Sequence, residues 1–119
     1  MEAYVKSNIQ NGIGTIEFFH PQSNSMPSSQ LRNLVEEINN LSKNDEVKVI
    51  ILKSGGEKAF CAGASFDELI SIKDFETGKT FFSGFANVIN AMRKSPKLII
   101  ARIHGKAVGG GVGIACAAD

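Results

Sequence analysis

The sequence predicts an α/β fold in which short strands alternate with helices, and two observations lead there. Residues 47–52 and 98–103 are β-branched apolar runs, each followed by a glycine-rich stretch, and apolar residues at helical spacing lie before and between them. The succession of strand, glycine loop and helical segment therefore occurs twice. The helix between the two runs is what a crossover connecting parallel neighbours in one sheet requires.

The elements follow in order. Tyr4 and Val5, then Ile13, Ile16, Phe18 and Phe19, bracket Asn11 and Gly12, a pair suited to a tight turn between two strands. Residues 20–29 carry Pro21, Asn24 and Pro27 among serines and read as a loop that ends at a helix entrance. Leu31, Leu34, Val35, Ile38 and Leu41 form one stripe on a helix of about four turns. Residues 47–52 read as a strand with an early polar contact at Lys48. The segment KSGGEKAFCAGAS at 53–65 holds too many small residues for a regular element and reads as a structured loop. Residues 66–70 suit one helical turn, and Phe81, Phe82, Phe85, Val88, Ile89 and Met92 mark a second amphipathic helix. Pro96 closes that helix before the strand at 98–103. The alanines and glycines of residues 112–118 allow a closely packed final helix.

Composition narrows the function classes. The 119 residues are 43% hydrophobic, and 13 basic against 12 acidic side chains leave a formal charge of +1, which argues against a dedicated nucleic-acid binder. Cys61 and Cys116 sit among small or apolar neighbours and read as buried thiols in a reducing compartment. The opening MEAYVKSNIQ has no apolar signal-like core, and the apolar stretch 98–103 contains Arg102 and is too short to cross a bilayer. A cytoplasmic location with no membrane partner is the expectation.

Two glycine loops side by side would aim two unpaired backbone N–H groups at one point. That is an oxyanion hole, which stabilises charge developing on a carbonyl oxygen. Ala62, Gly63, Ala64, Gly109, Gly110 and Gly111 would let a ligand come close to the main chain. Either loop alone reads more readily as an ordinary turn, and only the pair together brings the two readings level. A nucleotide phosphate loop fits less well, since neither stretch has the GxxxxGK[ST] order and VGGGVG at 108–113 lacks the GxGxxG spacing.

The segments EKAFCAGASFDEL at 57–69 and PKLIIARIHGKAVGGGVGIACAAD at 96–119, with TIEFFHPQSNSMPSSQL at 15–31, resemble the enoyl-CoA hydratase/isomerase, or crotonase, superfamily. The resemblance runs over essentially the whole chain in the family's order. It implies a crotonase-like spiral of repeated ββα units, here truncated, with residues 1–119 as the N-terminal part of a catalytic domain. It also implies an enzyme that binds an acyl-CoA or acyl-carrier-protein thioester and stabilises an enolate with two backbone amides, those of Ala64 and Gly110. Lys58, Ala59, Phe60 and Ala62 match the strip along the adenosine and pantetheine of CoA, although Lys58 reads equally as a solvent-facing lysine. No metal and no permanently bound cofactor are implied, CoA entering as part of the substrate. The resemblance further implies a homotrimer or dimer of trimers and a place in fatty acid metabolism.

Several positions depart from the family pattern. Ser65 stands where Asp is usual and can still cap the short helix after Ala64. His20 replaces a common arginine and His104 a common asparagine, and both read as structural. Gly113 occupies the position where hydratases of the family carry a glutamate, and it cannot transfer a proton. Isomerase-type chemistry using a later acid, beyond Asp119, is therefore the first expectation. An enoyl-CoA or methylglutaconyl-CoA-like hydratase, and a non-catalytic acyl-CoA-binding or assembly module, are the alternatives. Asp67 and Glu68 read as solvated acids, Asp119 as a structural bond, and Cys61 lacks a neighbouring base. A truncated spiral would leave one side of an apolar sheet open.

Overall fold

The computed structural model describes residues 1–119 and shows three successive strand–strand–helix units behind a leading strand. The leading strand β1 (Tyr4–Gln10) pairs antiparallel with β2 (Ile13–Phe19) across a turn in which Asn11 and Gly12 both have positive φ, 53° and 79°. That handedness matches the twist of the strands it joins. The first unit continues through a two-residue strand β3 (Ser25–Met26) into helix α1 (Ser28–Lys43). Leu31, Leu34, Ile38 and Leu41 are buried on one face of α1, as their spacing requires.

The second unit begins with β4 (Val49–Ser54), two residues later than the apolar run suggests, because Val47 and Lys48 form the bend that leads into it. The Lys48 N–H there donates to the Gly12 carbonyl at 2.7 Å. The stretch expected as loop contains β5 (Ala59–Cys61) and β6 (Gly63–Ala64). Strands this short depend on tertiary partners, so no period in the sequence reveals them. Helix α2 (Phe66–Ser71) follows, then α3 (Phe75–Lys94), which starts a turn and a half before Phe81 because Asp74 and Thr77 form a reciprocal capping box. Phe82, expected on the buried stripe, is 70% exposed, while Phe81, Val88 and Met92 are buried.

The third unit is β7 (Leu98–Arg102), β8 (Lys106–Ala107) and α4 (Gly110–Ala117). The long strands form one sheet in the order β1-β2-β4-β7, parallel from β2 onward. The short strands form a second rank in which β3 pairs with β6 and β5 with β8, both parallel. Each unit is thereby joined to the next twice. Ile16, Phe18, Ile50, Leu52 and Ile99 face α1 and α3, and Phe60, Cys61 and Ile114 extend the same core beneath the second rank. The opposite sheet face is open, with Leu98 63% and Ile100 54% exposed, as expected for an uncovered apolar sheet. No helix is long and apolar enough to cross a membrane.

Two polar features close the core's open end. Gln30, buried on α1, donates through Nε2 to the carbonyls of Tyr4 at 2.8 Å and Phe19 at 2.7 Å, so the helix start is tied to both hairpin strands. The Tyr4 hydroxyl donates to Glu17, which also meets Lys53 at 3.5 Å and Lys6 at 3.7 Å. Its partner Tyr4 holds the Glu17 carboxyl below the ordinary range, the two lysines adding to this against the effect of burial. Glu17 in turn pushes Tyr4 up to about 12. The Glu17 contribution is therefore present above the ordinary carboxylate pKa and lost as pH falls through the depressed one. That of Tyr4 is present below the ordinary phenol pKa, about 10, and lost as pH rises through its raised value. Tyr4→Phe should flatten the acid limb of the stability profile. Urea unfolding across acid pH checks this, and equally steep limbs in variant and wild type would contradict the assignment.

Candidate active site

The two glycine loops meet where the second rank of strands runs into the helices. β5 and β8 pair through Ala59 with Lys106 and Cys61 with Ala107, and the Val108 N–H donates to the Cys61 carbonyl at 2.9 Å. The backbones press together so closely that side chains are excluded. A Cβ on Gly105 would stand 2.2 Å from the Lys58 carbonyl oxygen, one on Gly111 2.4 Å from that of Cys61, and one on Gly63 3.1 Å from that of Val108. Gly63 also has φ +97°, a conformation side-chain-bearing residues rarely adopt. The Gly63 Cβ would be 3.8 Å from the Gly110 nitrogen, so Gly63–Ala64 and Gly109–Gly110 are immediate neighbours.

Most amides in this contact are bonded. Those of Gly111 and Val112 donate to the carbonyls of Val108 and Gly109, and that of Ser65 donates to Met26 on β3. Gly110 opens α4, so its N–H has no carbonyl one turn back, and no loop or side chain accepts it. Because the Ser65 N–H faces β3, strand alternation turns the Ala64 N–H to the opposite edge. Ala64 is exposed and Gly110 half-buried. The arrangement offers free donors beside a water-accessible surface.

Of the strip at 58–62, Lys58 is exposed and Ala59 and Ala62 are half-buried. Phe60 departs from this. It has no exposed surface and packs edge-on against Phe18 at 5.5 Å, so it anchors β5 in the core and cannot itself touch a ligand. The strip is held by Asn24, whose importance the sequence did not signal beyond its place in a loop. Its Nδ2 donates to the carbonyls of Gly55 and Ala59, both at 2.9 Å, and its Oδ1 accepts from the His20 N–H at 2.7 Å. Asn24 is buried with φ +60°, which asparagine tolerates better than most residues. Phe19, His20, Pro21, Gly56 and Lys58 border a 180 Å³ recess beside it.

The acids and histidines have defined places. Ser65 caps α2, its Oγ accepting from the Glu68 N–H at 3.3 Å. Glu68, expected in solvent, instead accepts from the Ser28 N–H and hydroxyl, each at 2.9 Å. Asp67 is exposed and accepts from Gln22 at 3.3 Å. Asp119 is a structural bond, its Oδ2 accepting from the Ile99 N–H at 2.9 Å and its own N–H donating back to Ile99 at 2.8 Å. His20 Nδ1 accepts from the Gln22 N–H, and burial lowers the imidazole pKa against the opposing effect of Asp67. Both ring nitrogens of His104 are buried without a partner. Burial raises the Cys61 thiol pKa, which disfavours a thiolate nucleophile, whereas Cys116 is exposed on α4 and not buried as its neighbours suggested.

The α4 face carrying Gly110 and Gly113 lies against α3. A Cβ on Gly110 would fall 2.5 Å from the Phe85 ring, and one on Gly113 2.9 Å from Ile89 Cδ1. The position at 113 is thus bordered by an aliphatic methyl. Gly105→Ala and Gly111→Ala, which collide with backbone, should each cost about 1–3 kcal/mol or more. Gly113→Ala meets only a rotatable methyl and gains helix propensity of about 1 kcal/mol, so its net change should be much smaller. Urea midpoints rank the three, and equal losses would contradict the packing described.

A family model described as Enoyl-CoA hydratase/isomerase matches residues 8–119. The chain is 36% identical over 102 residues to YngF of Bacillus subtilis (strain 168), covering 83% of this chain and 38% of that protein. It is 34% identical over 96 residues to human mitochondrial methylglutaconyl-CoA hydratase, covering 81% and 28%. Enoyl-CoA hydratase from Bacillus halodurans superposes with a TM-score of 0.89 at 25% identity, over 98% of this chain and 48% of that one. The chain thus spans less than half the length of these relatives. Its three ββα units are the crotonase spiral, and the chain belongs to the enoyl-CoA hydratase/isomerase family.

Proposed function

We propose that the protein takes an acyl-CoA or acyl-carrier-protein thioester and stabilises its enolate, in chemistry of the isomerase type. The observation that carries this reading is the contact between Gly63–Ala64 and Gly109–Gly110, with an unaccepted N–H on Gly110 and that of Ala64 turned away from β3. The thioester oxygen sits between the Ala64 and Gly110 amides. As a proton leaves the carbon next to the carbonyl, charge moves onto that oxygen and both hydrogen bonds strengthen, the differential stabilisation that lowers a barrier. Donors of this kind contribute on the order of 10²–10³ each in rate where measured. CoA lies along Lys58, Ala59 and Ala62 and enters as part of the substrate.

The base is a carboxylate from outside these 119 residues, which receives the proton and returns it to another carbon, shifting the double bond. Glu68 and Asp119 are occupied by the donors of Ser28 and Ile99, and Gly113 has no side chain to offer. A hydratase reading is favoured by the name of the methylglutaconyl-CoA hydratase relative. The aliphatic border at Gly113 weighs against it, since water addition by a paired acid needs a proton carrier there.

Titration of the whole protein, including the segment that supplies the base, with CoA, followed by incubation with acyl-CoA in deuterium oxide, tests the reading. Binding together with loss of the α-proton signal by NMR is the expected outcome. Binding without exchange would assign the chain to thioester capture or assembly, and failure to bind any CoA thioester would overturn the proposal.

A further inference from the structure

Helix α2 follows Ala64 after its cap Ser65, yet it has no buried residue, and Phe66 and Ile70 on it are 69% and 70% exposed. Hydrophobic packing therefore contributes little to holding this helix to the body. The polar contacts that do are concentrated on Glu68. Its Oε2 accepts from both the Ser28 N–H and the Ser28 hydroxyl at 2.9 Å, and Oε1 lies 3.3 Å from the same N–H. Ser28 is the first residue of α1 and only 6% exposed, while the residue before it, Pro27, has no side-chain acceptor with which to cap the helix. Glu68 thus caps α1 from a distance of forty residues in sequence, with its negative charge at the helix end where it is favoured.

The same residue is tied to the loop before it. Its N–H donates to the Ser65 Oγ at 3.3 Å, and the Ser65 N–H donates to Met26 at 3.3 Å. Met26 lies two residues before Ser28, so β3 and the start of α1 hold both ends of the segment from Ser65 to Glu68. Ala64 is the residue this segment carries at its head.

We propose that Glu68 is a positioning residue, fastening α2 to the start of α1 and so setting the direction of the Ala64 N–H, and that it is not a proton carrier. The inference rests on the reading of Ala64 as an oxyanion donor. Its mechanical part, the clamp on residues 64–71, stands on the hydrogen bonds alone.

The test uses the whole protein, including the segment that supplies the base, with Glu68→Ala and Glu68→Gln variants. Hydrogen exchange by mass spectrometry on peptides covering 64–71 should accelerate about tenfold in Glu68→Ala, the size of a lost cap, while β4 and β7 peptides keep their wild-type protection. Infrared spectra of carbonyl-labelled acetyl-CoA should show the wild-type lowering of the thioester C=O frequency, loss of that shift in Glu68→Ala, and its recovery in Glu68→Gln. The glutamine oxygen can still accept from the Ser28 N–H. Affinity for free CoA should stay unchanged in both variants.

Unchanged exchange at 64–71 in Glu68→Ala would overturn the clamp. Faster exchange with an undiminished carbonyl shift would reduce Glu68 to a purely structural cap and overturn its positioning role. An intact carbonyl shift with α-proton exchange abolished in Glu68→Gln would make Glu68 a proton carrier, contrary to the proposal. A wild-type chain that binds free CoA yet leaves the thioester carbonyl unshifted would sink the oxyanion reading, and the exchange measurement would still decide the clamp.

Discussion

Main chain packed directly on main chain governs this molecule. Gly105 lies against the Lys58 carbonyl, Gly111 against that of Cys61, and Gly63 against that of Val108, three contacts with no room for a Cβ at ordinary separation. The parallel pairing of β5 with β8 depends on that proximity, and the pairing in turn brings the start of α4 beside β6. Once the units are this close, a helix's first free amide and a strand's outward amide become neighbours. The polar geometry of the site thus follows from packing the second rank tightly, and it uses backbone groups, which have no rotamers of their own.

Much of this was legible in the residues. The helical stripe of α1 and the Asn11-Gly12 turn have strong local signatures, and both appear where the pattern puts them. The spiral was half visible, since glycine loops advertise the second and third units. The first unit makes the same turn with Pro21, Asn24 and Pro27 in place of glycines, so its membership in the series emerges only from the pairing of β3 with β6. The meeting of the two loops was legible as a pair of glycine-rich motifs. What holds them was not, because Asn24 reaches Ala59 and Glu68 reaches Ser28 over long sequence separations, and a single sequence contains no record of such distances.

The acids show how context overrides a surface-like pattern. Asp67 and Glu68 are adjacent in a polar stretch, yet one points to solvent and the other closes the N-terminus of a helix that begins with a residue unable to cap itself. Asp119 likewise gives both its side chain and its amide to Ile99 on the outer strand. With these carboxylates engaged and Ile89 bordering Gly113, the surroundings of the paired donors are largely aliphatic and main-chain in character.

The strand order β1-β2-β4-β7 is also the order of synthesis. Every long strand adds to the edge left by the one before, and β6 and β8 each join a short strand of the unit before, so no later segment must be inserted between earlier ones. A chain wound in this way can assemble while it is still emerging from the ribosome, each new unit finding a finished template and covering the exposed edge that would otherwise invite a stranger.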